Sequence, residues 1–283
     1  MTARDDTYKP EVLTTYRPLL WGAALLSVVM MAPVAWLIGL SIKSNQDLMV
    51  GTDSVFRAPY TIANYLNIWH SSQVFGWFFN SLVVASGQTL LVLVLSSLAG
   101  YGFGRLEFPF RRTLFIIVLF GLAVPEQAVI IARHQMFNWF GLHNTYLGLM
   151  LPGLSGAFGV FLMTQFFRAI PKEIDEAALL DNASQWRIFW KVMLPQTLPA
   201  QATLGIFTFL GGWNDYWWPL ISATKKEMYT LTVGLASSQS NFAQSEGLGF
   251  LAAQAVFASV PALIVYVIFQ KHIVTAVSGG AVK

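Results

Sequence analysis

Few side chains in this sequence could carry out covalent or acid–base chemistry. The chain contains no cysteine, and its four histidines lie far apart, at positions 70, 134, 143 and 272. The lack of cysteine excludes disulfides, thiolate metal sites and cysteine nucleophiles. Because the histidines are dispersed, we expect neither a catalytic centre nor a bound metal.

Asp215 is chemically conspicuous because it lies in an otherwise apolar run, beside Trp213 and Asn214. A carboxylate at the centre of a membrane helix costs about 2.5–3.5 kcal/mol and is therefore usually functional. If the helix begins at Leu198, however, a rise of 1.5 Å per residue puts Asp215 about 26 Å along it, close to the far interface. We interpret Trp213, Asn214 and Asp215 as a structural or gating element of a solute path rather than a proton relay.

Glu126 also interrupts an apolar run, directly after Pro125. The simpler interpretation is a local helix break that satisfies its own backbone groups. Contact with a transported solute is the alternative.

The composition places the chain in a membrane. Of its 283 residues, 55% are hydrophobic and 11% charged, whereas a soluble domain carries about 25% charged residues. The net charge of +3 is too small, and its basic residues too scattered, to indicate nucleic-acid binding.

Several apolar segments reach the roughly 20 residues that a helix needs to cross a bilayer. They predict an all-α, polytopic protein with six transmembrane helices, at 19–41, 75–101, 113–132, 147–167, 198–221 and 248–270.

The basic residues predict the orientation, because Lys and Arg concentrate in cytoplasmic loops. Of the 17 Lys and Arg residues, twelve share the side of the termini and the others are Lys43, Arg57, Arg133, Lys225 and Lys226. The predicted regions are a cytoplasmic tail at 1–18, a first span at 19–41, an extracytoplasmic loop at 42–74, a five-helix core at 75–270 and a cytoplasmic C-terminal tail at 271–283.

The cytoplasmic segment 168–197 is long for a simple connection and is predicted to form two short helices. Pro171 and the acidic residues after it favour a helix start, and we expect this helix to end near Leu180. Asp181 and Asn182 predict a turn, because Asn tolerates the left-handed backbone region better than most residues.

The second short helix should begin at Ser184 and end at Pro195. Its apolar residues recur at helical spacing and predict one buried stripe, formed by Trp186, Phe189, Trp190 and Met193. With that stripe against the bundle, the turn near Ala177, Ala178 and Ala183 would be free to enter a partner's groove.

Glu176-Ala177-Ala178, with Asp181 after it and Leu194-Pro195 later, forms one sequence signature. Further motifs extend over nearly the whole chain: Asn80-Ser81-Leu82, Ala99-Gly100-Tyr101-Gly102-Phe103, Gly141-Leu142, Asn144-Thr145-Tyr146, Ile170-Pro171, Trp213-Asn214 and Gly280-Ala281-Val282-Lys283. Together they resemble the type I ABC-importer permeases with an EAA motif, specifically the smaller permease subunit of maltose-type carbohydrate transporters.

The resemblance implies a subunit that moves sugar across the cell inner membrane and hydrolyses no ATP itself, which agrees with the lack of a P-loop motif. ATP and Mg would be bound by a partner ABC ATPase dimer, along which the C-terminal tail would lie. The other implied partners are a homologous second permease subunit and an extracytoplasmic solute-binding protein facing the outer loop at 222–247. The implied ATPase-coupling residues are Glu176, Ala177, Ala178, Asp181, Asn182 and Ala183.

Asn182 departs from the family, which usually has Gly at this position. Because Asn is the usual second choice at positive φ, we expect the turn geometry to be preserved.

Two other classes remain as alternatives. A secondary transporter driven by an ion gradient would need ionisable residues near the middle of the membrane, where this sequence has almost none. A membrane-embedded hydrolase would need a nucleophile and a base that converge within the bundle.

Overall fold

The computed structural model describes residues 10–70, 72–154, 156–240 and 247–279, and every regular element in these ranges is helical. The all-α prediction is therefore confirmed. The α-helices are α1 (Pro10–Ser41), α2 (Asn45–Val50), α3 (Ala63–His70), α4 (Ser72–Arg105), α5 (Arg111–Phe120), α6 (Ile130–Trp139), α7 (Tyr146–Met150), α8 (Ala157–Ala169), α9 (Lys172–Leu180), α10 (Gln185–Arg187), α11 (Leu194–Gln196), α12 (Leu198–Asn214), α13 (Trp217–Ser222), α14 (Leu231–Ser240) and α15 (Gly247–Gly279).

Three helices are long and apolar enough to cross a membrane by themselves. They are Pro18–Ser41 within α1, Gln73–Arg105 within α4 and Gly247–Gln270 within α15. Each contains one of the apolar runs predicted as the first, second and last spans as a single helix. Each is longer than the apolar run that predicted it, because a helix continues past the hydrocarbon region until a local signal ends it. In the tails predicted at the two ends of the chain, residues 1–9 and 280–283 lie outside the described residues.

The third and fourth predicted spans are broken helices. The helical residues Arg111–Ala123 and Glu126–Trp139 meet at 91°, and Tyr146–Leu154 and Ala157–Ala169 meet at 51°. Each pair is apolar enough to span only when its halves are counted together. Prediction of a continuous helix was therefore wrong at both places, since hydropathy averaged over a window does not register a bend at a short break.

The fifth predicted span, 198–221, is interrupted as well. Its helix α12 has 17 residues and ends at Asn214, and α13 starts only at Trp217. Asp215 between them has ψ of 130°, an extended conformation. The described chain thus contains three to five spans by length and composition, and six crossings stay a prediction.

The chain divides into two compact units, which are Met1–Asn67 with Asn241–Val256 and Ile68–Ser240 with Phe257–Lys283. In the first unit, the predicted loop at 42–74 is largely helical. The side chain of Lys43 is buried there and its ammonium group donates to the carbonyl oxygens of Arg57 and Pro59.

The second unit contains the larger core. Met163 and Phe167 of α8 pack with Tyr101 of α4 and with Phe189, and all four are buried. Helices α4 and α8 approach closely at Gly100, where an added Cβ would lie 2.5 Å from the Cβ of Met163. This contact explains why the motif around Tyr101 needs glycine.

Candidate functional site

Three interruptions of helices in the second unit surround one cavity. They lie between α5 and α6, between α7 and α8, and between α12 and α13. The cavity has a volume of about 620 Å³, within the range of about 300–1,000 Å³ typical of small-ligand sites. It is lined by Gln88, Gly121, Leu122, Val124, Glu126, Val129, Arg133, Leu149, Pro152, Gly153, Gly156, Ala157, Phe158, Gly211, Gly212, Asp215 and Trp218.

Local chemistry explains the interruption between α5 and α6. The chain leaves α5 through a 3₁₀ turn at Gly121–Ala123, and Val124 is extended with ψ of 114°. Val124 precedes Pro125, and a residue before proline is pushed out of the helical region. Broken helices at membrane depth occur where the freed backbone is buried in protein or lines a cavity. The sequence-based interpretation of Glu126 as part of a helix break is therefore confirmed.

The cavity brings together the two carboxylates that sequence analysis singled out separately. The Glu126 carboxylate pairs with Arg133 on α6, with 2.9 Å between Oε1 and Nη1. The Arg133 guanidinium also lies 5.5 Å from the ring centroid of Trp218. The Asp215 carboxylate accepts from the backbone N–H groups of Trp217 and Trp218 and is near enough to Glu126 and Arg133 to interact with their charges.

Gln88 contributes an amide to the same cavity from the middle of α4, and sequence analysis missed it. A Cβ at Gly153 would overlap its Nε2, and a Cβ at Gly212 would lie 3.1 Å from its Oε1. The two glycines, Gly153 between α7 and α8 and Gly212 near the end of α12, thus leave room for the amide. Among the described residues no hydrogen-bond partner of the Gln88 side chain is found. A polar residue in the longest apolar helix was the signal that could have identified it.

Of the three residues predicted for the solute path, only Asp215 lines the cavity. Trp213 is buried, and its indole Nε1 donates to the Ala258 carbonyl oxygen at 3.0 Å. Asn214 is exposed and donates to the Leu210 carbonyl oxygen within its own helix. Trp213 therefore packs between α12 and α15. Successive residues of a helix point about 100° apart, so neighbours such as Trp213 and Asn214 face different surroundings.

The second candidate site is the segment containing α9 and α10, which is fastened to the end of α4. Arg105 forms an ion pair with Asp175 of α9, with 3.1 Å between Nε and Oδ2, and its side chain is 5% exposed. Its Nη2 also donates to the carbonyl oxygens of Ile170 and Pro171, at 2.8 and 3.0 Å. Tyr101 adds a hydrogen bond to Gln185 of α10, 2.8 Å long. These anchoring contacts are not apparent from local sequence patterns.

Burial raises the pKa of the Asp175 carboxyl above its usual value, and the attraction of Arg105 lowers it by less. The cost of removing the carboxylate from water thus exceeds what the ion pair returns. A pair of this kind orients its helix more than it stabilises the fold.

The turn after α9 has the predicted left-handed geometry. Asn182 has φ of 54°. The N–H of Ala183 donates to the Ala178 carbonyl oxygen at 3.1 Å, and the N–H of Asn182 donates to that of Leu179 at 3.0 Å. These two bonds define a Schellman motif with Asn in the position usually held by Gly. The next helix, α10, starts at Gln185, one residue after the predicted Ser184, which caps it by accepting the Arg187 N–H on its Oγ.

The turn itself is accessible, because Asp181 and Asn182 are exposed, and its docking into a partner's groove stays a prediction. Ala178 and Ala183 beside it are half-buried and pack against the core. Glu176, Ala177 and Asp181 are exposed. The accessible residues of this segment are therefore fewer than the residues that the resemblance implied for coupling to the ATPase.

The predicted apolar stripe of the second short helix is also only partly buried. Phe189 and Met193 are buried, but Trp186 and Trp190 are 64% and 51% exposed. The rings of Trp186 and Trp190 both contact the ring of Phe189, so the stripe forms but the bundle covers only part of it. The helix continues to Gln196, so Pro195 does not end it as predicted. Pro195 lies in the first turn of α11, where the missing N–H of proline is not needed.

The Asn80-Ser81 motif holds the segment before α14. The Asn80 amide donates to the carbonyl oxygens of Glu227 and Tyr229, at 2.7 and 2.9 Å, and accepts from the Tyr146 hydroxyl at 2.7 Å. The Leu231 N–H donates to Ser81 Oγ at 2.8 Å. The loop predicted at 222–247 is thus partly the helix α14, and its residues 241–246 lie outside the described residues.

Comparison with known proteins places these features in a wider group. Residues 93–279 match the profile of the family described as binding-protein-dependent transport system inner membrane component. The diacetylchitobiose uptake system permease protein NgcG of Streptomyces coelicolor is 35% identical, over 92% of this chain and 86% of that protein. The trehalose transport system permease protein SugB of Mycobacterium tuberculosis is 31% identical over the full length of both. A chain of a bacterial ABC transporter that imports the acidic polysaccharide alginate has the same fold, with a TM-score of 0.76 at 21% identity, covering 96% of this chain and 98% of that one.

Proposed function

Because this chain belongs to the family of binding-protein-dependent transport system inner membrane components, we propose that it forms half of the solute pathway of an ATP-driven sugar importer. The family match over residues 93–279 is the observation that carries the proposal. Relatives that share 30% or more of their residues are named for the transport of diacetylchitobiose, arabinooligosaccharides and trehalose. We therefore propose a neutral sugar or short oligosaccharide as the cargo.

The half of the solute path that this chain forms is the cavity at the three helix breaks. In that arrangement Asp215 faces the path, whereas Trp213 stabilises the bundle behind it. The partners of this chain are a second permease subunit that completes the path and a solute-binding protein that delivers cargo to the outer side. Both termini and the segment 168–197 lie in the cytoplasm, as the distribution of basic residues favours.

Coupling to a partner ATPase dimer, which binds ATP and Mg, occurs through the surface formed by α9 and α10. This surface presents large apolar side chains next to the turn, with Leu180 84% exposed. An exposed apolar patch on a segment otherwise fastened to the bundle is typical of a protein–protein contact. Arg105 and Asp175 would transmit movement of this surface to α4, which lines the cavity through Gln88.

The proposal is tested by uptake into proteoliposomes that contain the complete transporter and its binding protein. Labelled diacetylchitobiose and trehalose are the first probes, and uptake should require ATP and survive a protonophore. Uptake that depends on an ion gradient without ATP would instead indicate a secondary transporter.

A charge on the exposed part of α9 tests the coupling surface. Ala177→Glu should abolish stimulation of ATP hydrolysis by the binding protein, whereas the matched Ala177→Ser should keep it. Ala177 is suitable because it is exposed, so the bundle should fold normally. Normal stimulation and uptake by Ala177→Glu would remove the coupling assignment.

A further inference from the structure

The charges that line the cavity do not balance. Among the described lining residues, two are acidic, Glu126 and Asp215, and one is basic, Arg133. Arg133 is already engaged, because its guanidinium pairs with Glu126 at 2.9 Å and lies against the ring of Trp218. The lining therefore carries a net charge of −1, which Asp215 contributes.

Asp215 cannot easily turn away from the cavity. It is half-buried at the junction of α12 and α13, and the backbone N–H groups of Trp217 and Trp218 hold its carboxylate. Its backbone carbonyl oxygen is also held, by the Thr232 hydroxyl at 2.7 Å. The carboxylate is thus held in place by the fold.

The neighbouring polar group suits uncharged hydroxyl groups. Gln88 offers one amide that both donates and accepts, and Gly153 and Gly212 leave space around it. A hydroxyl group also donates and accepts, so a sugar ring can satisfy this amide without bringing any charge.

We propose that this cavity is a solute subsite that admits neutral or cationic saccharides and excludes anionic ones, such as uronates and sugar phosphates. The inference rests on the proposed function and adds a physical basis for its selectivity, which is the exclusion of anionic solutes by Asp215. A carboxylate brought within about 5 Å of Asp215, at an effective dielectric constant near 20, would be disfavoured by about a hundredfold. Selection by this chain would thus act in addition to selection by the binding protein.

The absence of cysteine from this chain permits a test that does not require the cargo to be known. Val124→Cys places a thiol on the cavity lining with little change in volume, and Asn138→Cys places one on the exposed part of α6 outside it. Both variants, in the complete transporter, are treated with methanethiosulfonates that carry an ammonium, a sulfonate or an uncharged hydroxyethyl group. Modification is measured on this chain alone, with and without ATP under conditions that block hydrolysis.

For each thiol, the rates of the ammonium and sulfonate reagents are normalised to the rate of the uncharged reagent. The ratio of the ammonium rate to the sulfonate rate should then be larger at Val124→Cys than at Asn138→Cys. Adding Asp215→Asn, which retains an acceptor for the same N–H groups, should reduce that ratio by about tenfold. Adding Arg133→Gln should increase it. A loss of structure would not move the two variants in opposite directions.

Equal ratios at the two thiols, or no effect of Asp215→Asn, would overturn the proposal. So would a thiol at position 124 that the uncharged reagent cannot reach in either nucleotide state. The ratio does not depend on which solute is carried. A transporter that fails to take up sugar but shows the expected ratios would contradict the proposed function and leave the electrostatic inference standing.

Discussion

Replacing Arg105 by methionine should release α9 from the end of α4. The substitution keeps an unbranched apolar stem but removes the guanidinium, and with it the ion pair with Asp175 and the hydrogen bonds to the carbonyl oxygens of Ile170 and Pro171. The packing of Ile174 and the small Ala178 against the core would then be left to hold α9. These contacts are modest compared with the interactions that are removed.

The burial of Arg105 sets the size of the effect. Removing one partner of a buried ion pair costs about 3–5 kcal/mol, and a hydrogen bond from a charged donor contributes about 1.5–3 kcal/mol. The contributions do not add, since one guanidinium makes all of them, and Asp175, 22% exposed, can regain water. We expect about 3 kcal/mol for the docking of α9, which corresponds to about a hundredfold in its opening equilibrium.

Hydrogen exchange on the assembled transporter measures this opening directly. The amides of α9 should exchange about a hundredfold faster in Arg105→Met than in the natural sequence, while those in the middle of α4 stay protected. Stimulation of ATP hydrolysis by the binding protein should fall in parallel.

Asp175→Asn is the matched control for Arg105→Met. This variant keeps an oxygen that accepts from Arg105 and removes a carboxylate whose burial raises its pKa. The amides of α9 should therefore exchange faster by less than about tenfold. Unchanged protection of α9 in Arg105→Met would refute the reasoning. It would show that apolar packing alone holds the segment and that Arg105 has no part in coupling.

Two further predictions concern the turn and the orientation. Asn182→Gly should transport normally because glycine accepts φ of 54° freely, whereas Asn182→Val should cost about 1–2 kcal/mol and weaken assembly with the ATPase; equal assembly and uptake by the two variants would contradict a functional need for this backbone geometry. Single cysteines at Leu180 and Met49, which are 84% and 90% exposed, should react with an impermeant thiol reagent from the cytoplasmic and the outer side respectively; labelling of both from outside in intact cells would overturn the orientation.

The sequence determined the helices and the turn because these features depend on neighbours close in the chain. Apolar runs of spanning length predicted α1, α4 and α15, and an Asn flanked by a helix on each side predicted the left-handed turn at Asn182. Helical spacing was less informative about burial, because the rings of Trp186 and Phe189 contact each other and yet Phe189 is buried and Trp186 is exposed. Spacing predicts which side chains share a face, but not how much of that face the neighbouring helices cover.

Tertiary structure alone decided which residues share the cavity. Gln88, Glu126 and Asp215 belong to three different predicted spans, and no local pattern states that they meet. Nor could spacing show that Trp213 points into the bundle while Asp215, two residues later, lies in extended backbone at the cavity. The physical reason is that hydropathy and helical period describe how a residue is buried along its own helix. A polar cavity arises instead where interruptions in several helices meet, and only close packing brings those interruptions together.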